Sequence, residues 1–317
     1  MVDNHATERS GDPHDLATAL DAGPVVLDGG LATELERRGH DLAGALWSAR
    51  LLRDDPQAVV DTHLAYFAAG AQVATTSSYQ VTEQGLRAAG FGEDEWARLL
   101  RYSVELARRA QAIAAAASSP RPARPSWVAA SVGPYGAMLA DGSEYRGDYG
   151  LTVAALRAFH RPRLEVLAAA GADVLACETL PCLAEVEALC YELDALDVPA
   201  WISLTVDRLR TRHGEDLTEA YAMAGSVPSV VAVGLNCSEP GPAREAVALA
   251  AAVSGKPVVV YPNSGETWDA GARTWAGEAR FAAGAVASWI TAGARLVGGC
   301  CRVGPTEIGE IRDFVAL

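Results

Sequence analysis

The sequence predicts a single (β/α)8 barrel, the TIM-barrel form of the α/β class, and three observations predict it. Eight short runs rich in apolar and β-branched residues are spread along the chain. Longer Ala- and Leu-rich segments of helical period lie between them. Near-continuous apolar strands that alternate with amphipathic helices are expected to be parallel and covered by those helices. The third observation is a recurring phrase: A-A-G-A-Q at 68–72, A-A-G-A-D at 169–173 and T-A-G-A-R at 291–295. Each stands where a helix should end on a left-handed glycine and a strand begin, so one βα unit repeats. A doubly wound sheet is the alternative, but no G-x-G-x-x-G turn follows the first strand.

Taken in order, residues 1–22 are polar, with Gly, Pro, His and Asp, and read as a loose N-terminal extension with a short helix near Leu16–Leu20. Residues 23–317 then form one barrel domain. The strand candidates are Val25–Asp28, Gln72–Thr76, Trp127–Val132, Asp173–Glu178, Ala200–Val206, Val230–Cys237, Pro257–Pro262 and Arg295–Cys300. Asp55-Pro56 opens a helix that stops at Gly70. Further helices are expected over Glu93–Ala117, closed by a proline-rich loop at 118–125, and over Tyr149–Ala170, stopped by Gly171.

Composition narrows the function. Of 317 residues half are hydrophobic, enough for a substantial core, and the net charge is -14 from 26 Lys+Arg against 40 Asp+Glu. An acidic chain without a basic patch is a poor binder of nucleic acid or anionic membrane. No apolar run approaches the roughly 18 residues that span a bilayer. Met1–Ser10 lacks the apolar core of a signal peptide, so a cytoplasmic protein is expected. In that reducing compartment the six cysteines stay free for metal rather than forming a disulfide scaffold.

In such a barrel the chemistry sits at the C-terminal ends of the strands. The eighth run ends in G-G-C-C, with Gly298 and Gly299 permitting a sharp turn before Cys300 and Cys301. The sixth ends in Asn236-Cys237. Both strands point to one mouth, so the three sulfurs can converge. Three thiolates leave one tetrahedral position open, the layout of a catalytic zinc. Such a site is a weak activator of water but suits a substrate thiol held as thiolate. Each cysteine alone could equally be a small buried hydrophobe.

Asp28 and Glu178 end two other strands and could grip an ammonium group, while Gly29 and Gly30 offer backbone N–H groups to a carboxylate. An α-amino acid carries both. The alternative is that Asp28 caps the following helix and that Glu178 is a helix-start acid. Asn236 and Tyr135 are further candidates for substrate contact. Tyr145, Tyr149 and Trp47 stand in or beside loops, where aromatic faces could meet a sulfonium or ammonium ligand or simply pack. Cys177, Cys182 and Cys190 are assigned to packing, Cys177 because alternation turns it away from Glu178. His63 and His160 fall inside helices as structural residues, and no H-E-x-x-H spacing supports a zinc protease.

Seven stretches together resemble the homocysteine S-methyltransferases. They are L-D-G-G-L-A-T-E-L-E-R-R-G (27–39), T-T-S-S-Y-Q (75–80), S-V-G-P-Y-G-A-M-L-A-D-G-S-E-Y-R-G-D-Y (131–149), A-C-E-T-L-P (176–181), G-L-N-C (234–237), V-V-Y-P-N-S-G-E (259–266) and G-G-C-C-R (298–302). The likeness is greatest to the bacterial and plant branch that uses S-methylmethionine, covers about residues 23–315, and is thinnest at Asp207–Leu217. It implies a (β/α)8 barrel with one Zn²⁺ on Cys237, Cys300 and Cys301, and L-homocysteine sulfur in the fourth position. Asp28 and Glu178 would hold its amino group. S-methylmethionine or S-adenosylmethionine would be the donor and methionine the product. No segment for a cobalamin or folate domain is apparent, which favours a self-contained donor. Methylation of selenocysteine or selenohomocysteine on the same scaffold is the alternative, and a non-enzymatic zinc-storing or redox-sensing thiol protein is a second. The sequence leaves the oligomeric state open.

Overall fold

The computed structural model of the chain describes residues 15–42, 46–117, 124–269, 274–277 and 284–316. Eight parallel strands follow one another around a ring: β1 Val25–Val26, β2 Val73–Thr75, β3 Trp127–Val132, β4 Val174–Leu180, β5 Ala200–Leu204, β6 Val230–Asn236, β7 Val258–Tyr261 and β8 Ala294–Val297. Seven neighbouring pairs make ladders, the last joining β8 to β1. Between β1 and β2 the ring closes through a parallel bridge, Leu27 to Val73, and a hydrogen bond from Gln72 N–H to the Val26 carbonyl (2.7 Å). A closed ring excludes the doubly wound sheet.

Period-two alternation explains the two layers of the core. Trp127 and Ala129, Val174 and Ala176, and Val259 and Tyr261 pack in one cluster inside the ring. Their neighbours Val128, Ala130, Leu175, Cys177, Val258 and Val260 pack outward against the helices. Both faces are dry, which is why the strands read as continuous apolar runs.

The floor of the ring departs from expectation. Asp15 caps a helix over Leu16–Ala22 by accepting the Thr18 N–H, and Leu16 and Leu20 are buried in the inner cluster with Val25 and Trp127. The short helix expected near Leu16–Leu20 is thus present, and the segment Asp15–Ala22 packs onto the barrel instead of lying loose; residues 1–14 lie outside the described residues. Two leucines four positions apart, on one helical face, supply the apolar contact that holds the segment there.

The repeated phrase does what its glycines require. Gly70, Gly171 and Gly293 stand at φ 111°, 82° and 118°, in the left-handed region just after Pro56–Ala69, Val153–Ala169 and Ala285–Thr291. The long helix runs Glu95–Ala117. The helix expected from Tyr149 begins only at Val153, because the Thr152 hydroxyl accepts from Ala155 N–H and caps it there. Tyr149 is thereby left in the loop. The Arg-rich stretch after β5 forms a two-strand hairpin, Val206–Asp207 with Arg210–Thr211. It docks at the mouth: His213 N–H donates to the Pro181 carbonyl (3.1 Å) and Glu215 accepts from Leu183 N–H (2.7 Å). Among the described residues no helix is long and apolar enough to cross a membrane.

Gly234, inside β6, shows how tightly the ring is drawn. A Cβ there would lie 1.8 Å from the Val259 carbonyl oxygen on β7. Gly234→Ala is expected to cost on the order of 3 kcal/mol through overpacking. The check is the thermal midpoint, which should fall by several degrees, while Gly241→Ala, whose Cβ meets nothing within 4 Å, should leave it unmoved.

Candidate active site

Cys237 follows directly on β6 at φ 47°, its N–H donating to the Tyr261 carbonyl (3.3 Å) and its carbonyl accepting the Thr205 hydroxyl (3.1 Å). Cys300 and Cys301 follow β8, pinned by Cys300 N–H to the Pro262 carbonyl (2.8 Å) and Cys301 N–H to Asn263 Oδ1 (3.2 Å). The three Sγ atoms lie within 4.8 Å of one another. The two glycines before them serve a different end from the one expected. Neither has a left-handed φ; what they supply is room. A Cβ on Gly298 would sit 2.6 Å from Leu27 Cβ, and one on Gly299 2.1 Å from Val303 Cγ1. The left-handed residue is Arg302 (φ 66°), whose N–H is caught by the Thr33 hydroxyl (2.8 Å).

Charge decides what three such thiols can do. Hydrogen bonds from Cys300 and Cys301, helped by Thr179 and Tyr145, hold the Cys237 thiol well below its ordinary pKa. The contact with Cys237 in turn raises Cys300 and Cys301 well above theirs. One thiolate forms readily and suppresses the next two. Only a cation lets all three ionise, and a soft, three-sulfur donor set with one side open fits a thiophilic metal. Cys177, Cys182 and Cys190 are the opposite case: burial pushes each thiol up, the latter two to about 12, as in packing residues.

The two acids are buried beside this cluster. Asp28 accepts from Thr75 N–H (2.6 Å) and the Thr75 hydroxyl (2.8 Å), yet burial outweighs both and lifts its pKa to about 7. Glu178 accepts from the Ser131 and Tyr261 hydroxyls, the latter at 2.9 Å, and burial lifts it to about 8. Asp28 does not cap the helix after it, since the N-cap of Leu31–Arg37 is Gly30. Glu178 lies within β4 and not at a helix start. Gly30 N–H is already committed to the Val303 carbonyl (2.9 Å), so of the two expected carboxylate seats it is Gly29 whose N–H has no partner among the described residues.

Thr179, just after Glu178, stands at φ 64°, a strained setting for a β-branched residue, where the β4–β5 register breaks. Asn236 holds it there. Its Oδ1 accepts from Thr179 N–H and its Nδ2 donates to the Thr179 hydroxyl, both at 2.7 Å. Asn236 is fully buried, and its side chain braces the Glu178 corner instead of facing the mouth. Tyr135 is also turned elsewhere. Its ring packs edge-on to Tyr149 (5.3 Å) and to Phe159 (5.0 Å) of the outer helix Val153–Ala169. Of the three aromatics named from the sequence whose side chains are described, Tyr145 is the one that reaches Cys237; the Trp47 side chain lies outside the described residues. His160 pairs with Glu185 (2.8 Å) in full burial, as a structural histidine would.

Sequence reasoning gave no role to Thr75, Ser131 and Tyr261, which hold the acids, or to Tyr79, which hydrogen-bonds Thr179, although Thr75 and Tyr79 lie at the strand end expected to face the mouth. A signal existed for two of them. Alternation along β3 and β7 places Ser131 and Tyr261 on the inner face, level with Glu178.

Known proteins resemble this chain along most of its length. A family model for homocysteine S-methyltransferase matches residues 25–315. The homocysteine S-methyltransferase of Escherichia coli (strain K12) is 47% identical over 293 residues, covering 91% of this chain and 94% of that protein. A selenocysteine Se-methyltransferase of Brassica oleracea var. italica is 42% identical over 305 residues, 91% of this chain and 88% of that one. The crystal structure of the homocysteine methyltransferase MmuM from Escherichia coli, in its metallated form, superposes with a TM-score of 0.83 at 44% identity, over 92% of this chain and 96% of that chain. With the barrel, the clustered thiols and a match that spans nearly the whole sequence, the chain belongs to the homocysteine S-methyltransferase family and is an S-methyltransferase.

Proposed function

We propose that the protein moves a methyl group from a sulfonium donor, S-methylmethionine or S-adenosylmethionine, to the sulfur of L-homocysteine, using Zn²⁺ held by Cys237, Cys300 and Cys301. The observation that carries this reading is the convergence of three sulfurs within 4.8 Å beside two buried carboxylates. The metallated form of the related MmuM supports a bound metal, and the soft three-sulfur donor set favours zinc. Held by these three cysteines, a metal ion would supply Lewis acidity that lowers the pKa of an incoming thiol, so that it could be held as thiolate near neutral pH.

The rest falls to side chains. Asp28 and Glu178, whose burial favours the protonated form while the site is empty, ionise around the homocysteine ammonium group, and Gly29 N–H faces its carboxylate. This fixes the acceptor sulfur in one place. The thiolate then attacks the methyl carbon in line. The donor's S–CH3 bond breaks with its electron pair going to sulfur, and both products are neutral thioethers. No side chain has to protonate a leaving group; alignment and exclusion of water are the protein's contribution. Asn236 acts at one remove, by holding Thr179. The free thiols suit a reducing compartment, in keeping with a cytoplasmic location. Likeness to the Brassica enzyme supports a second reading, a selenol acceptor in the same position.

The function is tested by following methionine formation from homocysteine with each donor, and with selenocysteine as rival acceptor. Turnover with S-methylmethionine well above the other pairings is expected; turnover with neither sulfonium would overturn the reading. Removing the metal with a chelator should abolish activity reversibly. Cys301→Ser should lose bound metal and activity together, by metal analysis and rate on one sample, and retention of both would contradict the three-thiolate site. Burial raises the pKa of Asp28 and Glu178 to about 7 and about 8, so the carboxylates form only above those values. The KM for homocysteine is therefore expected to fall as pH rises from 6 to 9. Glu178→Gln should raise KM about ten- to hundredfold and remove the upper part of that dependence.

A further inference from the structure

Glu178 owes its position to groups that the methyl-transfer reading does not use. One oxygen takes a hydrogen bond from Ser131 on β3 and the other takes one from Tyr261 on β7, so the carboxylate is held from two sides of the ring. Tyr261 is 5% exposed, and its hydroxyl has three neighbours. Besides Glu178 Oε2 at 2.9 Å, Trp201 Nε1 lies at 3.1 Å and Ser203 Oγ at 2.8 Å. An indole N–H can only donate, so it occupies one lone pair of the tyrosine oxygen. A carboxylate can only accept, so an ionised Glu178 draws the single hydroxyl hydrogen. The remaining lone pair then faces the Ser203 hydroxyl, whose single hydrogen goes either to Tyr261 or to Asn236 Oδ1. Ser203 also lies 2.9 Å from Asn236 Oδ1, which links the cluster to the Thr179 corner.

We infer that Tyr261, oriented by Trp201 and Ser203, is the positioning residue that aims the Glu178 carboxylate at the amino group of the acceptor and thereby sets the preference for an α-amino thiol over a thiol without that group. Trp201 stands edge-on to the Tyr261 ring, with centroids 6.3 Å apart and planes at 77°, so the ring stays fixed when only its oxygen is removed. Tyr261→Phe therefore deletes the donor to Glu178 and keeps the packing. The inference rests on the proposed grip of Glu178 on the ammonium group.

The experiment compares two acceptors on the metal-loaded enzyme with a saturating sulfonium donor: homocysteine and 4-mercaptobutanoate, which is homocysteine without its amino group. In the wild-type enzyme homocysteine should be strongly preferred; equal use of the two would refute the ammonium grip itself. In Tyr261→Phe the KM for homocysteine should rise about ten- to hundredfold. The kcat, the bound metal and the KM for 4-mercaptobutanoate should stay unchanged, so the preference collapses. A wild-type preference that survives in Tyr261→Phe, or an equal loss with both acceptors, would overturn the role of Tyr261 and leave the ammonium grip standing. Should the phenylalanine variant not fold, Ser203→Ala, which loosens the same hydroxyl and leaves Asn236 Oδ1 its bond from Thr179 N–H, should show the same selective change to a smaller degree, and its absence would be equally decisive.

Discussion

Three sulfurs that must share a space of 4.8 Å, one buried and two half-buried, are the constraint on which the rest of the structure depends. Two unit charges at about 4 Å repel by about 4 kcal/mol at an effective dielectric near 20, and three thiolates make three such pairs. The protein alone stabilises one thiolate, on Cys237, and a cation is what admits the others. Bringing them together requires β6 and β8 to end at the same mouth, which a closed parallel ring ensures. It also demands bare backbone at Gly298 and Gly299, where any side chain would strike Leu27 or Val303. The loop after β1 is tied into the same place by Gly30 N–H to the Val303 carbonyl. Asp28 and the cysteine turn are thus joined by backbone hydrogen bonds.

The acids follow a complementary logic. Asp28 and Glu178 are fed hydrogen bonds from Thr75, Ser131 and Tyr261, but not enough to keep them charged at low pH in an empty site. Their folded pKa values lie above those of the unfolded chain. The folded state therefore binds more protons between about pH 4 and pH 8, and the stability of the empty protein falls as pH rises across that window. A ligand that brings its own positive charge offsets this deficit. Part of the folding stability is in this way exchanged for recognition of an ammonium group. The left-handed Thr179, held by Asn236, is strain of the same kind, kept at the site by a buried side chain that Ser203 braces in turn.

Much of this was legible in the residues. Hydrophobic period fixed the eight strands to within a few residues, and the recurring A-G-A phrase marked three helix ends by a backbone need that only glycine meets without strain. The G-G-C-C run and Cys237 could be joined across sixty residues because topology, not sequence distance, decides which strand ends meet. What period and spacing could not reveal were partners that touch only after folding. Tyr261 and Ser131 reach Glu178 from β7 and β3, and Leu16 and Leu20 seal a floor whose walls come from the whole chain. Asn236 and Tyr135 stood near the chemistry in sequence, yet Asn236 is fully engaged by Thr179 and Ser203, and Tyr135 lies among outer aromatics. Rotation about a backbone corner decides between facing the mouth and facing away, and residue type alone carries no trace of it.

The most direct measurement is X-ray absorption at the zinc edge of the metal-loaded protein, before and after addition of homocysteine. The account predicts three sulfur scatterers near 2.3 Å in the free enzyme and four once the acceptor is bound. Fewer than three sulfurs in the free enzyme, or a sulfur count that homocysteine leaves unchanged, would contradict it.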